Sequence, residues 1–260
     1  MKASLKNKFH KLKRVRTAAD AVRFIDAVGY CLLFPIKRLP LPSLYYACAH
    51  RDIHLGPGWD KYCERIWEWK DELPRQRRAF YAKYFKQRGT FISLKLLPHF
   101  LAMRGSPTAI DEHERFYIAG QISHNAQMIW HTLAEYGPLA TLELRHACKM
   151  DSKAGNVRFK RAMLELQCLL AVVHFGAEQE TAALASARFE LTSRAFPAQA
   201  RAARSITPEQ ARSVIAAKYL EWHPNAPSQT LARLFGWTRA EAIQATETQR
   251  HGAKASKDKD

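Results

Sequence analysis

The 260-residue sequence has no hydrophobic run long enough to cross a bilayer. A membrane-spanning helix needs about 18 or more consecutive apolar residues, and the longest candidate is the short stretch Gly29–Pro35. The basic N-terminus has no apolar segment leading to a small-residue cleavage site, which a secretory signal requires. We therefore expect no membrane partner for this protein and a location in the cytoplasm.

Cysteine is scarce and shows no pairing pattern. The chain has 5 cysteines, an odd number, and no Cys-x-x-Cys pair, which favours reduced thiols over a disulfide framework. One short cluster contains four residues of metal-binding type, Cys48, His50, Asp52 and His54. Its spacing matches no established zinc pattern. We expect neither a metal nor a cofactor.

Several catalytic motifs are missing. The sequence contains no Gly-x-x-x-x-Gly-Lys loop, no Gly-x-Gly-x-x-Gly, no Gly-x-Ser-x-Gly and no His-Glu-x-x-His. Nucleotide hydrolysis, dinucleotide redox chemistry and serine acyl transfer therefore have no support from motifs.

Acidic residues are too few to balance the basic ones. The chain has 41 Lys and Arg against 24 Asp and Glu, a net charge of +17, and residues 73–110 hold 8 basic side chains and no acidic one. Such a field favours a polyanionic partner. Double-stranded DNA is the simplest choice and an anionic membrane surface the weaker one. The sequence leaves the oligomeric state open.

Cations alternate with aromatic residues in this region, as in a nucleic-acid groove. We expect Tyr84 to contact DNA, and Trp67 and Trp69 to stack on bases or act as wedges. The alternative is that each ring packs in the core with the cations solvated around it. The cations predicted to contact DNA lie in the acid-free segment and on the outer face of a later helix: Arg75, Arg77, Arg78, Lys83, Lys86, Arg88, Arg158, Lys160 and Arg161.

The pattern of residues 121–198 predicts a winged helix. A first helix ends at Gly137-Pro138, Thr141 caps a short second helix, and a third helix follows with apolar residues at helical spacing from Phe159. Two strands at 169–175 and 188–192 then flank a wing at 176–187. The only charges of this wing, Glu178 and Glu180, would repel phosphate, so a structural or protein-binding role for the module stays open.

The fold class predicted for the whole chain is mainly α with small β-sheets, built from tandem winged-helix or helix-turn-helix modules. Thr17 and Asp20 form a capping-box-like start for the first helix, which Gly29 ends. The predicted segments are a basic flexible arm at 1–16, an N-terminal basic, aromatic-rich, winged-helix-like domain at 17–120, a winged helix at 121–198, a C-terminal helix-turn-helix-like module at 199–251 and a polar tail at 252–260.

Four carboxylates are weak catalytic candidates: Asp60, Glu64, Glu68 and Asp71. A group that positions water could hydrolyse an N-glycosidic bond if a cationic groove held the DNA. Surface charge is the plain alternative for each.

Motifs in both halves of the chain are shared with one family. They are Trp67-x-Trp69-Lys70, Tyr81-x-x-Tyr84-Phe85, Gly89-Thr90-Phe91-Ile92-Ser93, Gly137-Pro138-Leu139-Ala140-Thr141 and Phe159-x-x-Ala162-Met163. Over roughly residues 17–250 the sequence resembles AlkZ-related proteins, relatives of the AlkZ/YcaQ winged-helix DNA glycosylases. The resemblance implies a bacterial DNA-repair protein whose tandem winged helices curve around duplex DNA.

The catalytic motif of that family does not carry over. Its glycosylases use Gln-x-Gln or Gln-x-Asp near the N-terminal part to orient water, whereas no glutamine precedes Gln76 here and the comparable region, Leu39–Leu44, contains none. The open alternatives are a DNA-binding protein without this chemistry, a DNA N-glycosylase that uses a substitute carboxylate, and a non-catalytic protein-interaction adaptor.

Overall fold

The computed structural model describes residues 13–50, 58–179 and 185–247. The first unit runs from residue 18 to residue 92 and contains three helices and three strands. They are α1 (Ala18–Val28), β1 (Tyr30–Leu32), α2 (Leu44–Ala49), α3 (Lys61–Arg75), β2 (Phe80–Lys83) and β3 (Gly89–Ile92), with a 3₁₀ turn at Phe85–Gln87. The three strands form an antiparallel sheet in the order β1-β3-β2.

The predicted start and end of α1 are confirmed. The Thr17 side chain accepts from the Asp20 N–H and the Asp20 carboxylate accepts from the Thr17 N–H, which closes a capping box. Gly29 ends the helix with a φ of 83°, a conformation that favours glycine. The chain therefore turns directly into β1.

The second unit, residues 124–191, repeats this arrangement of elements. It contains α6 (His124–Tyr136), β4 (Leu139–Ala140), α7 (Thr141–Ala147), α8 (Lys153–Cys168), β5 (Val172–Gln179) and β6 (Ala185–Leu191), after the connecting helices α4 (Leu97–Arg104) and α5 (His113–Ile118). Its sheet has the order β4-β6-β5. In both units the first strand therefore pairs with the last.

Two local expectations are wrong. Thr141 does not cap α7 but donates from its hydroxyl to the Ala187 carbonyl, while Ala140 is the capping residue. The loop expected at 176–187 is mostly strand, because the bulge at Gly176, with a φ of 102°, lets β5 continue to Gln179.

The last residues of the arm predicted at 1–16 are packed against the first unit. Val15 is buried and its N–H donates to the Ala47 carbonyl at 3.1 Å, so residues 13–16 dock on α2. The arm residues 1–12 and the tail residues 252–260 lie outside the described residues.

The C-terminal helices complete the core of the first unit. They are α9 (Thr192–Ala195), α10 (Pro197–Ala203), α11 (Pro208–Trp222) and α12 (Ser228–Phe235), followed by helical residues 239–247. The Tyr30 ring of β1 lies 5.3 Å from Phe100 and 5.9 Å from Phe235, measured between ring centroids. One hydrophobic cluster thus crosses the predicted boundaries at 120/121 and 198/199, which stay predictions.

The predicted class, mainly helical with small sheets, is confirmed. Across residues 13–50, 58–179 and 185–247 no helix combines the length and the apolar character that crossing a membrane requires.

Gly155 in the first turn of α8 lies close to the backbone that precedes the helix. A Cβ atom there would lie 2.7 Å from the carbonyl carbon and oxygen of Met150. We predict that Gly155→Ala lowers the free energy of unfolding by about 1–3 kcal/mol through overpacking. Gly58→Ala is the control, because a Cβ there meets nothing within 4 Å. Thermal unfolding of both variants checks this, and equal midpoints would contradict it.

Candidate nucleic-acid interface

The turn between β2 and β3 is fastened to the C-terminal end of α8. The Lys83 N–H donates to the Gln167 Oε1 at 3.1 Å, and the Cys168 thiol donates to the Lys83 carbonyl at 3.3 Å. Gln167 itself is buried. Arg161 precedes Gln167 by six residues, about 9 Å along the helix axis. The structure thus places two of the predicted cation groups, 83–88 and 158–161, on neighbouring elements.

The basic turn consists of Lys83, Lys86 and Arg88, all exposed. Lys86 and Gln87 both have left-handed backbone, with φ of 50° and 58°. The turn closes through the Arg88 N–H, which donates to the Phe85 carbonyl at 2.9 Å, while the Phe85 ring is buried beneath. The backbone therefore holds the cations outward over an anchored ring.

The basic face of α8 consists of Lys153, Arg158, Lys160 and Arg161, all exposed. The opposite face buries Phe159, Met163 and Leu166, which fixes the orientation of the helix. Ser152 caps the helix by accepting from the Gly155 N–H at 3.0 Å. One acid near this face, Glu165, accepts from the Ser123 N–H at 2.6 Å and hydroxyl at 2.7 Å. The exposed charge of the helix is therefore mainly positive.

Acids do not neutralise the predicted cations. Within the part of the chain that the structure describes, none of the nine lies within 4.0 Å of a carboxylate oxygen, whereas Arg23, Lys95 and Arg115 each pair with one. Unpaired cations keep their charge available for a polyanion.

The third predicted group, Arg75, Arg77 and Arg78, lies elsewhere. Arg78 and Lys83 are separated by the length of β2, about 16 Å of extended chain. The Arg77 guanidinium donates to the Ala195 carbonyl at 2.9 Å and lies 5.6 Å from the Phe175 ring centroid. Arg75 lies against Gly176. The nine predicted cations thus do not form one cluster, and Arg77 ties the first unit to α9.

Of the three predicted aromatic contacts, Trp69 is buried and Tyr84 is half-buried. Trp69 is only 5 % exposed, and Tyr84 packs edge-on against Phe85 and Phe100. Burial raises the pKa of Tyr84 to about 12. Both rings take part in packing, and their contact with DNA stays a prediction.

Trp67 is the exposed member of the predicted set. It is 46 % exposed and meets Trp59 edge-on, with 5.4 Å between ring centroids. The Lys70 ammonium lies 4.3 Å from the Trp67 ring centroid. One face of the indole is therefore already taken by a cation.

The four carboxylate candidates have different surroundings. Asp60 caps α3 by accepting from the Tyr62 and Cys63 N–H groups, each at 2.9 Å, and it also accepts from the Tyr45 hydroxyl at 2.7 Å. Glu64 and Glu68 are exposed on the outer face of α3, one turn apart. The structure does not bring these carboxylates together with Asp71.

Asp71 lies at the contact between α3 and β5. Its carboxylate accepts from Lys70 at 2.6 Å and contacts His174 Nε2. Burial raises the pKa of Asp71, but the hydrogen bonds from His174 and Lys70 outweigh it, so the net pKa is lowered. Burial also lowers the pKa of His174, which leaves the imidazole neutral and donating to the carboxylate. Sequence reasoning missed His174, because no local pattern links two residues 103 positions apart.

The acidic end of strand β5, where the wing is predicted, is partly neutralised by an ion pair. Glu178 pairs with Arg188 at 3.2 Å, and Glu180 lies outside the described residues.

Two residues of the metal-type cluster, Asp52 and His54, also lie outside the described residues. Among the residues that the structure describes, no three or more His, Cys, Asp or Glu side chains are grouped to hold a metal ion.

We predict that His174 makes an acid-sensitive contribution to stability. Its pKa in the fold is below the ordinary value of 6.5, so between the two values the unfolded chain binds more protons and stability falls as the pH drops below about 6.5. The slope from this group is at most about 1.4 kcal/mol per pH unit. Asp71, with its lowered pKa, acts in the same direction only at lower pH.

Urea unfolding at pH 7.5, 6.5 and 5.5 measures the effect. His174→Gln should lose less stability on acidification than the parent protein, whereas His124→Gln, at an exposed position, should match the parent. Equal pH slopes for the parent and the His174 variant would contradict the assignment.

Comparison with known families gives one match. A family model described as AlkZ related matches residues 15–236, a span that includes both three-stranded sheets and α12 up to its end. No curated protein and no solved structure matches the sequence.

Proposed function

The chain belongs to the AlkZ-related family, and from that premise we propose that it binds double-stranded DNA through tandem winged-helix modules. The observation that carries the proposal is the pair of exposed cation groups on neighbouring elements, the basic turn and the basic face of α8. Their charges are exposed and unpaired among the described residues. Neutralising phosphates with such groups releases counterions and supplies most of the affinity for a duplex.

The repeated topology supports the winged-helix part of the proposal. Each unit has a helix, a strand, two helices and a hairpin, and each sheet pairs its first strand with its last. In helix-turn-helix proteins the second helix of the motif enters the major groove and its N-terminal residues reach the base edges. The corresponding helices here are α3 and α8.

Charge favours α8 over α3 as the helix that faces DNA. The outer face of α3 carries Glu64 and Glu68, whereas residues 153–161 of α8 present four exposed cations. Carboxylates beside phosphates repel, and the repulsion grows as water leaves the contact. We therefore assign the major groove to α8, with Lys160 and Arg161 on phosphates or base edges. Val157, 66 % exposed, is suited to a thymine methyl group.

The proposal assigns no bond cleavage to this protein. The resemblance to DNA glycosylases implies a setting in DNA repair in a bacterial cytoplasm, but the glutamine motif of those enzymes is missing. Asp60 and Asp71 are held by structural hydrogen bonds, and Glu64 and Glu68 lie on the acidic face of α3. A substitute carboxylate among these four has no geometric support.

We predict that duplex binding depends steeply on salt and on the α8 cations. The variant Arg158→Gln/Lys160→Gln/Arg161→Gln should bind less tightly, and the slope of log affinity against log salt should fall by about 0.9 for each phosphate that is no longer neutralised. The control changes three exposed but paired cations, Arg23→Gln/Lys95→Gln/Arg115→Gln, which removes the same formal charge. Fluorescence anisotropy with a labelled duplex from 50 to 300 mM salt measures both slopes.

A flat salt dependence, or equally weakened binding in the two triple variants, would overturn the proposal. The adaptor alternative would then be favoured, and it predicts a protein partner that survives nuclease treatment and is not displaced by duplex DNA.

A glycosylase assay tests the expectation that this protein does not hydrolyse N-glycosidic bonds. Incubation with alkylated duplex DNA should give abasic sites at the level of a no-protein control. Product above that level that disappears in Glu68→Gln would contradict this expectation and assign the chemistry to α3.

A further inference from the structure

A concave cationic surface, separate from the basic turn and the basic face of α8, lies at the opposite end of α3 from Arg75. It is a groove of about 270 Å³ between the N-terminal segment, the end of α2 and the start of α3. Four of its side chains are cations. The lining residues are Arg14, Val15, Arg16, Cys48, Lys61, Tyr62 and Arg65.

Arg14 is fixed in place by the protein. Its guanidinium donates to the Cys48 carbonyl at 2.7 Å, the Ala49 carbonyl at 3.1 Å and the Tyr62 hydroxyl at 3.0 Å. These bonds use Nε and Nη2, so the two N–H groups of Nη1 have no partner among the described residues. The groove therefore has one rigid wall with free donors.

Arg65 faces the same space and is unpartnered. Its side chain is half-buried, yet it makes no hydrogen bond or ion pair in the described part of the chain. Its N–H donors are therefore available to a ligand that enters the groove. Burial raises the pKa of the Cys48 thiol to about 12, while the charges of Arg65 and Arg14 act in the opposite direction. Both guanidinium groups thus lie close to one thiol.

Lys61 and Arg16 add two more charges. The Lys61 ammonium lies 5.5 Å from the Tyr62 ring centroid and the Arg14 guanidinium 5.4 Å from it, so the ring is flanked by cations. The Arg16 side chain is exposed on the rim and makes no contact with a carboxylate among residues 13–50, 58–179 and 185–247.

Two acids near the groove, Asp20 and Asp60, already accept hydrogen bonds from other groups. Asp20 accepts from the Thr17 N–H at 3.0 Å and hydroxyl at 2.8 Å and from the Arg16 N–H at 3.1 Å, and it pairs with Arg23. Asp60 caps α3 and accepts from Tyr45. Four cations around one groove repel each other, and an anion in the groove would relieve that repulsion.

We propose that this groove binds a phosphate group through Arg14, Arg65 and Lys61, with Arg16 at its rim. Guanidinium forks match phosphate oxygens in pairs, and a group carrying one to two negative charges suits a site of this charge. The phosphate belongs either to a DNA backbone or to a free phosphate compound. The first source rests on the proposed function and the second does not.

The test uses inorganic phosphate with the full chain. Phosphate is titrated at constant ionic strength against chloride while the Arg65 Nε–Hε resonance is followed by NMR. We expect a saturable shift of that resonance with phosphate and none with chloride. In Lys61→Gln/Arg65→Gln, binding followed at the Tyr62 ring resonances should be about tenfold weaker or more, since this variant cannot make the hydrogen bonds between charged groups.

The matched control is Lys153→Gln/Arg161→Gln, which removes two charges from α8 and should retain phosphate binding. Lys61→Gln alone, at an exposed position, keeps the test valid if the double variant does not fold. No shift with phosphate, an equal shift with chloride, or equally weakened binding in the control would overturn the proposal.

A duplex titration identifies the source of the phosphate. If Lys61→Gln/Arg65→Gln also lowers the salt slope of duplex binding, the groove holds a DNA phosphate. An unchanged slope assigns it to a free phosphate compound. Duplex binding that stays steep while inorganic phosphate fails to bind would remove this site and leave the proposed function standing.

Discussion

The contact between α3 and β5 fixes the relative positions of the two units, and the candidate DNA surface depends on it. There the carboxylate of Asp71 in the first unit contacts both its neighbour Lys70 and His174 of the second unit. The Tyr81 ring packs edge-on against the His174 ring, with 5.5 Å between ring centroids. A buried carboxylate needs its partners, because removing one leaves an uncompensated charge. The bonds from Lys83 to Gln167 and Cys168 then set the basic turn against α8. Together with the hydrophobic cluster that crosses both units, these contacts hold the two cation groups on one framework.

The two units share a topology but differ in the charge of corresponding helices. α3 carries glutamates on its outer face and α8 carries lysines and arginines. Fold repetition therefore does not imply repeated function, since binding depends on the side chains that a helix presents. We therefore propose α8, and not α3, as the helix that contacts DNA, while α3 is mainly a packing element with a cationic groove at its first turn.

Interactions between residues close together in the sequence explain which parts of the fold can be predicted. Helix α1 follows from the Thr17–Asp20 box and Gly29, and α6 and α8 follow from apolar residues at helical spacing. The wrong predictions arise where a group distant in the sequence makes a contact that replaces the expected local one. The Thr141 hydroxyl finds the Ala187 carbonyl 46 residues away instead of its own helix. The bulge at Gly176 extends a hairpin into residues whose polar sequence predicts a loop.

The candidate site is predictable in charge but not in arrangement. A local excess of lysine and arginine is visible in any sequence, and it predicts the basic turn and the basic face of α8. Which of them are paired, and that Arg75–Arg78 and the basic turn lie at opposite ends of β2, depends on tertiary structure. Burial of Trp69 and the meeting of Arg14 with Arg65, 51 residues later, have no sequence signal of their own.

Hydrogen–deuterium exchange with and without a DNA duplex tests most directly whether the joined units act as one surface. Because a rigid contact places the basic turn and α8 side by side, peptides covering residues 83–88 and 153–161 should gain protection together, at the same duplex concentration. Peptides covering the outer face of α3, residues 64–68, should be unchanged. Protection of only one of the two basic segments, or of α3 in their place, would contradict the account.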